Sequence, residues 1–241
     1  MLAIFKREMR AYFTTSIGYI FLASALVISA VIFSVTTVLD SPPTADTSLY
    51  FSGLIFVLMI FLPILTMKSF SEEKKTKTEQ LLLTSPVSTT QMVLGKFFSS
   101  FVMLAIFLAL SLIFIIPLTF FVPEENSGPN GALVMGNIIA LLLVGMSFIA
   151  IGIFVSSLTE NQFAAIVITI VTILLFFVIS LFNSFISVYA IRVVLDWLSI
   201  FSRYTAFTYG VFDISALFYY ISLTGVFIFL TVRVFESRKY N

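Results

Sequence analysis

Long uncharged apolar runs alternate with short polar breaks along this chain, and the breaks set its organisation. No residue from Ala11 to Leu39 is charged, and a helix needs about 20 apolar residues to cross hydrocarbon. Further runs cover Leu49 to Met67, Phe97 to Val122, Ala132 to Leu158, Phe163 to Phe185 and Ile214 to Val232. Between them lie Asp40-Ser41-Pro42-Pro43, the stretch from Pro123 to Gly131, and the tight break Thr159-Glu160-Asn161-Gln162, all rich in turn formers. The pattern predicts an all-α integral membrane protein with six spans, at 15–39, 49–67, 92–122, 132–158, 162–185 and 213–233. It also predicts a surface helix over 1–14, where Lys6, Arg7, Glu8 and Arg10 alternate with Leu2, Ile4, Phe5 and Met9.

The connection between the second and third spans differs from everything around it. It carries Lys68, Lys74, Lys75, Lys77 and Lys96 with Glu72, Glu73 and Glu79, so it sits in water on one side. Ser69-x-x-Glu72 reads as a capping box opening a short helix over 69–86. Glu73 and Lys77 have the favourable i,i+4 order. Leu81-Leu82-Leu83 gives that helix an apolar end, and Pro86 turns the chain at Ser85. Ser88-x-x-Gln91 reads as a second capping box, launching the third span. This stiff, charged element between two spans can be a docking point for a soluble partner or an ordinary solvated connector. A second surface element is predicted over 190–205, outside the membrane, where Arg192, Asp196, Ser199 and Arg203 form a polar stripe beside Trp197.

Composition narrows the chemistry. The chain is 60% hydrophobic and 10% charged, against about 25% charged in a soluble domain. With no Cys and no His, thiolate chemistry is excluded and the commonest general base and metal ligand are missing. The spans expected from the apolar runs carry no ionisable group, which weighs against an ion-coupled secondary transporter. They do carry small-xxx-small pairs such as Ala25/Ser29, Ala30/Ser34 and Gly152/Ser156, which let helices approach closely. Eleven of the 13 Lys and Arg residues fall on the side of the termini, leaving only Arg192 and Arg203 opposite. The positive-inside bias puts both termini and the charged connection in the cytoplasm. Gly95-Lys96 is not a phosphate loop, because Thr90 stands where its first glycine belongs and Phe97 where Ser or Thr belongs. No nucleotide site and no nucleic-acid signature is legible.

The run Leu62-Pro63-Ile64-Leu65-Thr66-Met67-Lys68-Ser69-Phe70-Ser71-Glu72-Glu73-Lys74-Lys75, followed by Thr78-Glu79-Gln80-Leu81-Leu82-Leu83-Thr84-Ser85-Pro86-Val87-Ser88 and Leu94-Gly95-Lys96, resembles the ABC-2 type permeases of ABC transporters, most of all the gliding-motility-type branch. The stretch Ala150 to Gln162 and the Gly210-x-x-Asp213 motif resemble the same family. The resemblance implies an ABCG-like (type V exporter) half-transporter in a bacterial plasma or inner membrane. It implies a non-catalytic subunit with no cofactor of its own, ATP and Mg being bound by two copies of a partner ATPase. A second permease copy or a paralogue would complete the pore within membrane lipid. Carried onto this chain, Glu72, Glu73, Lys77 and Glu79 become ATPase-coupling residues, and Leu82, Leu83 and Pro86 the packing that ties the coupling helix to the third span. The family commonly has Gly-Thr where this chain has Lys77-Thr78, which implies a less flexible helix here. The rival readings are a membrane scaffold that moves nothing and a secondary transporter.

Overall fold

The computed structural model describes residues 1–38, 47–78, 88–118, 130–183, 192, 195, 199–208, 210 and 213–240. Among them there is no strand. The helices are α1 (Leu2–Thr14), α2 (Ser16–Phe33, continuing as a π turn over Ser34–Val38), α3 (Ser48–Thr66), α4 (Lys68–Lys75), α5 (Thr89–Ser111, tightening to a 3-10 turn at Leu112–Phe114), α6 (Gly131–Leu158), α7 (Gln162–Asn183), α8 (Ile200–Thr208) and α9 (Ile214–Tyr240). Six segments, built on α2, α3, α5, α6, α7 and α9, are long and apolar enough to cross a membrane, with mean hydropathy from 1.8 to 3.0.

Most of these helices start where a polar side chain satisfies their first free N–H groups. Ser88 accepts from the Gln91 N–H at 3.3 Å, Asn130 from Ala132 at 3.0 Å, Asn161 from Phe163 at 2.9 Å, Ser199 from Ser202 at 3.1 Å and Asp213 from Ser215 at 2.8 Å. The short polar breaks therefore do more than interrupt the apolar pattern: those before α5, α6, α7, α8 and α9 supply the cap for the helix that follows, while Thr47 before α3 makes no side-chain cap bond. At the other kind of junction, Thr15 alone is extended between α1 and α2. There the backbone doubles back so tightly that a Cβ on Gly18 would lie 2.4 Å from the Tyr12 carbonyl oxygen, so only glycine fits.

Helices α3 and α6 are the centre of the bundle. In each, 67% of the most apolar window is buried by protein, against 28% in α2, 17% in α7 and 22% in α9. The outer helices turn Val27, Val31, Phe163, Val171, Leu175, Phe218 and Phe229 outward, as expected of surfaces that meet lipid. The α3–α6 contact is close because Gly152 faces Thr66: a Cβ there would sit 2.1 Å from Thr66 Oγ1.

Helix α8 is not a flat surface helix. Ile200, Tyr204 and Phe207 are fully or almost fully buried, packed on α6 and α7. The Tyr204 hydroxyl donates to Asn137 Oδ1 at 3.0 Å, and Tyr220 donates to the Ile200 carbonyl at 2.7 Å. Of the predicted polar stripe, Ser199 is the buried cap, while Arg203 donates to Ser215 Oγ at 2.8 Å and lies over the Tyr219 ring. Asp196 and Trp197 lie outside the described residues.

Candidate functional site

The end of the bundle that carries both termini gathers most of the described charge. Helix α4 carries the charged connection, and it extends α3 after a single break at Met67. Ser69 is therefore inside the helix and does not cap it, because Met67 already has helical backbone angles. The cap comes from another span. Ser156 of α6 accepts the N–H groups of Phe70 and Ser71, each at 3.1 Å, and donates to the Met67 carbonyl at 2.9 Å. One hydroxyl thus uses its donor and both acceptor positions to bridge the break.

Helix α1 lies along the foot of α5. Ile4 packs on Gly95, where a Cβ would meet its side chain at 3.0 Å. The Tyr12 hydroxyl lies 3.0 Å from Ser100 Oγ. Burial pushes the Tyr12 phenol up to about 12, so it stays neutral.

Between α1, α4 and α5 sits a buried ion cluster. Lys96, counted in the sequence with the water-exposed connection, lies within α5 with 2% of its side chain exposed. Its ammonium donates to Glu73 Oε1 at 2.9 Å, to Glu8 Oε1 at 3.1 Å and to the Ser69 carbonyl, which uses all three of its protons. Arg7 bridges the same two carboxylates at 2.7 Å each. Phe70 closes the inner side, its ring 4.9 Å from the Lys96 ammonium and 4.5 Å from the Phe235 ring of α9. Burial alone would raise the Glu8 carboxyl, but Lys96 and Arg7 outweigh it and hold Glu8 below its ordinary value. The result is three chain segments, distant in sequence, tied through shared charges.

The far side of α4 is tied as well. Lys74 lies 3.5 Å from Glu160 and 3.4 Å from the Leu158 carbonyl, and Arg238 of α9 donates to the Ser157 carbonyl at 2.8 Å. Two cations thus meet the free carbonyls at the C-terminus of α6, where the helix dipole favours positive charge.

The predicted site residues divide. Glu73 is committed to Arg7 and Lys96, so its i,i+4 pair with Lys77 does not form. The helix also stops too early for that pair. It ends at Lys75, and Lys77 takes φ +57°, the left-handed conformation that usually closes a helix with glycine. The expectation of a continuous helix over 69–86 is therefore corrected within the described residues to Lys68–Lys75 followed by a turn over 76–78. Glu72 and Lys77 remain exposed. Glu79, Leu82, Leu83 and Pro86 lie outside the described residues. Sequence reasoning missed Arg7, Glu8, Lys96 and Ser156. The available signals were a lysine about two turns past a cap, on a helix otherwise uncharged, and the small pair Gly152/Ser156.

Six apolar helices with a charged, internally braced end define a multi-pass membrane protein. The profile described as ABC-2 family transporter protein matches residues 28–235, and the chain belongs to that family, whose members are non-catalytic membrane components of ABC transporters. No curated protein matches the chain.

Proposed function

We propose that this chain is the permease of an ABC exporter and that a separate ATPase docks on the exposed rim of the braced end. The rim consists of the outer face of α4 (Glu72, Lys75) with Lys77 in the turn after it, the Glu160–Phe163 segment and the exposed flank of α1 (Lys6, Arg10). The observation that carries this reading is the Lys96 cluster. It joins α1, α4 and α5 into one block, while α4 is the direct extension of the central span α3. A displacement applied to the tip of α4 therefore reaches two spans at once and does not dissipate in a flexible loop.

The steep bias of Lys and Arg toward this end supports its placement in the cytoplasm. The exposed apolar flanks of a six-span chain fit pairing with a second copy or a paralogue, each half served by one ATPase that holds ATP and Mg. The motif resemblance supports the gliding-motility-type branch and a bacterial inner membrane. The cargo is left open: the abundant Phe residues serve packing and lipid contact equally well.

The test is copurification with the companion ATPase, followed by vanadate-sensitive ATP hydrolysis with and without this chain. Stimulated hydrolysis is expected. Copurification with unchanged turnover would identify a scaffold, and transport by the chain alone would identify a secondary transporter.

A further inference from the structure

We propose that the cavity between α1, α3, α4 and α5 holds the headgroup of an amine-bearing phospholipid. The cavity has a volume of about 320 Å³ and runs across the boundary between the apolar bundle and its charged end. Ile17, at the start of α2, and Leu65, at the end of α3, line its apolar side. Lys68, Glu72 and Thr76 line its polar side, one to three turns farther along the same helix line. Such a gradient, from hydrocarbon to charge over a few turns, matches the span from glycerol to headgroup at a membrane surface.

The charges left over after internal pairing select the ligand. Lys96 has no proton to spare, because all three are donated within the protein. Glu8 is held by Lys96 and Arg7. Among the described residues Lys68 has one ion-pair partner, Glu72 at 3.9 Å, too far for a hydrogen bond. Glu73 is held by Arg7 and Lys96 through Oε1, and its Oε2 is buried away from the cavity. The lining thus keeps one cation, Lys68, for a phosphate and one accessible carboxylate, Glu72, for an ammonium. A zwitterion with a primary amine satisfies both. A choline headgroup has no N–H to give that acceptor, and an anionic glycerol headgroup leaves the carboxylate unmatched. This inference needs the chain to be membrane-embedded but does not depend on the docking of an ATPase.

The experiment uses the full chain in nanodiscs of equal parts phosphatidylethanolamine and phosphatidylcholine, released for native mass spectrometry, with a parallel set containing phosphatidylglycerol. Retained lipid is expected to be enriched about tenfold in phosphatidylethanolamine over phosphatidylcholine, the effect of one charge-assisted hydrogen bond. Glu72→Gln should lose most of that enrichment, and Ala11→Phe, which narrows the cavity without touching a charge, should lower all lipid retention. The wild-type comparison needs no variant and so is independent of folding. Equal retention of the two lipids, or preference for phosphatidylglycerol, overturns the proposal. So does enrichment that persists in Glu72→Gln. Loss of ATPase binding in Glu72→Gln with lipid retention unchanged would give the cavity to a basic side chain of the ATPase instead.

Discussion

The hydroxyl of Ser156 lies 3.1 Å from the backbone nitrogen of Phe70 and so ties the fourth span to the start of the charged helix. It serves as a helix cap supplied across the bundle. Ser156→Ala leaves two buried N–H groups without it, together with the Met67 carbonyl. The expected loss is about 1–3 kcal/mol, read as a lower thermal midpoint in detergent. Ser157→Ala is the control, since among the described residues the Ser157 hydroxyl bonds only within its own helix, to the Phe154 carbonyl, and the substitution leaves the Ser157 carbonyl that Arg238 uses in place, so it should change little. Equal effects from the two variants would refute the cap.

Lys96→Met leaves Glu8 and Glu73 facing each other, both mostly buried. Removing one member of such a cluster costs about 3–5 kcal/mol, so the single variant should unfold early or fail to accumulate. The triple replacement Glu8→Gln, Glu73→Gln, Lys96→Met removes all three charges and should recover most of the stability. If the cluster transmits displacement, that triple variant still binds the ATPase but stimulates it less. Stimulation equal to wild type would show that the block holds together without its charges.

Glu72 and Glu73 are neighbours with different duties. Glu72→Lys alters an exposed rim charge, so ATPase stimulation should fall about fivefold with the thermal midpoint unchanged. Glu73→Lys places a third cation beside Lys96 and Arg7, so the midpoint itself should drop. A double reversal cannot distinguish docking from folding. The separated variants can, and identical midpoints would contradict the assignment of Glu73 to the interior.

Lys77 holds a left-handed conformation at the close of α4. Lys77→Gly should stabilise the turn by about 1 kcal/mol, and Lys77→Val, β-branched, should weaken it. Hydrogen exchange at the Thr76–Thr78 amides reads this directly: slower exchange is expected in the glycine variant and faster in the valine variant.

The Glu8 carboxyl is held below the ordinary carboxylate value, about 4.3, by Lys96 and Arg7. Its contribution to stability is therefore present above that value and lost as pH falls through the folded value. The difference in thermal midpoint between wild type and Glu8→Gln should be constant from pH 7 to about 5.5 and shrink below about 4.5. A gap that widens on acidification would contradict the pairing with Lys96 and Arg7.

The sequence by itself determined the membrane class, the six spans and the identity of the one charged connection, because these follow from uncharged length and from the cost of placing charge in hydrocarbon. It also located several helix starts, as at Ser88, where the cap is three residues from its donor. Only the tertiary structure decided which charges face water. Glu73 and Glu72 are adjacent and identical in type, and Lys96 reads like any lysine in the connection. Their roles differ because Arg7 and Glu8 arrive from a helix more than sixty residues away, and because Ser156 reaches the break after Met67 from a separate span. Pairing and capping across a bundle depend on distances in space, and local spacing along the chain carries no record of them.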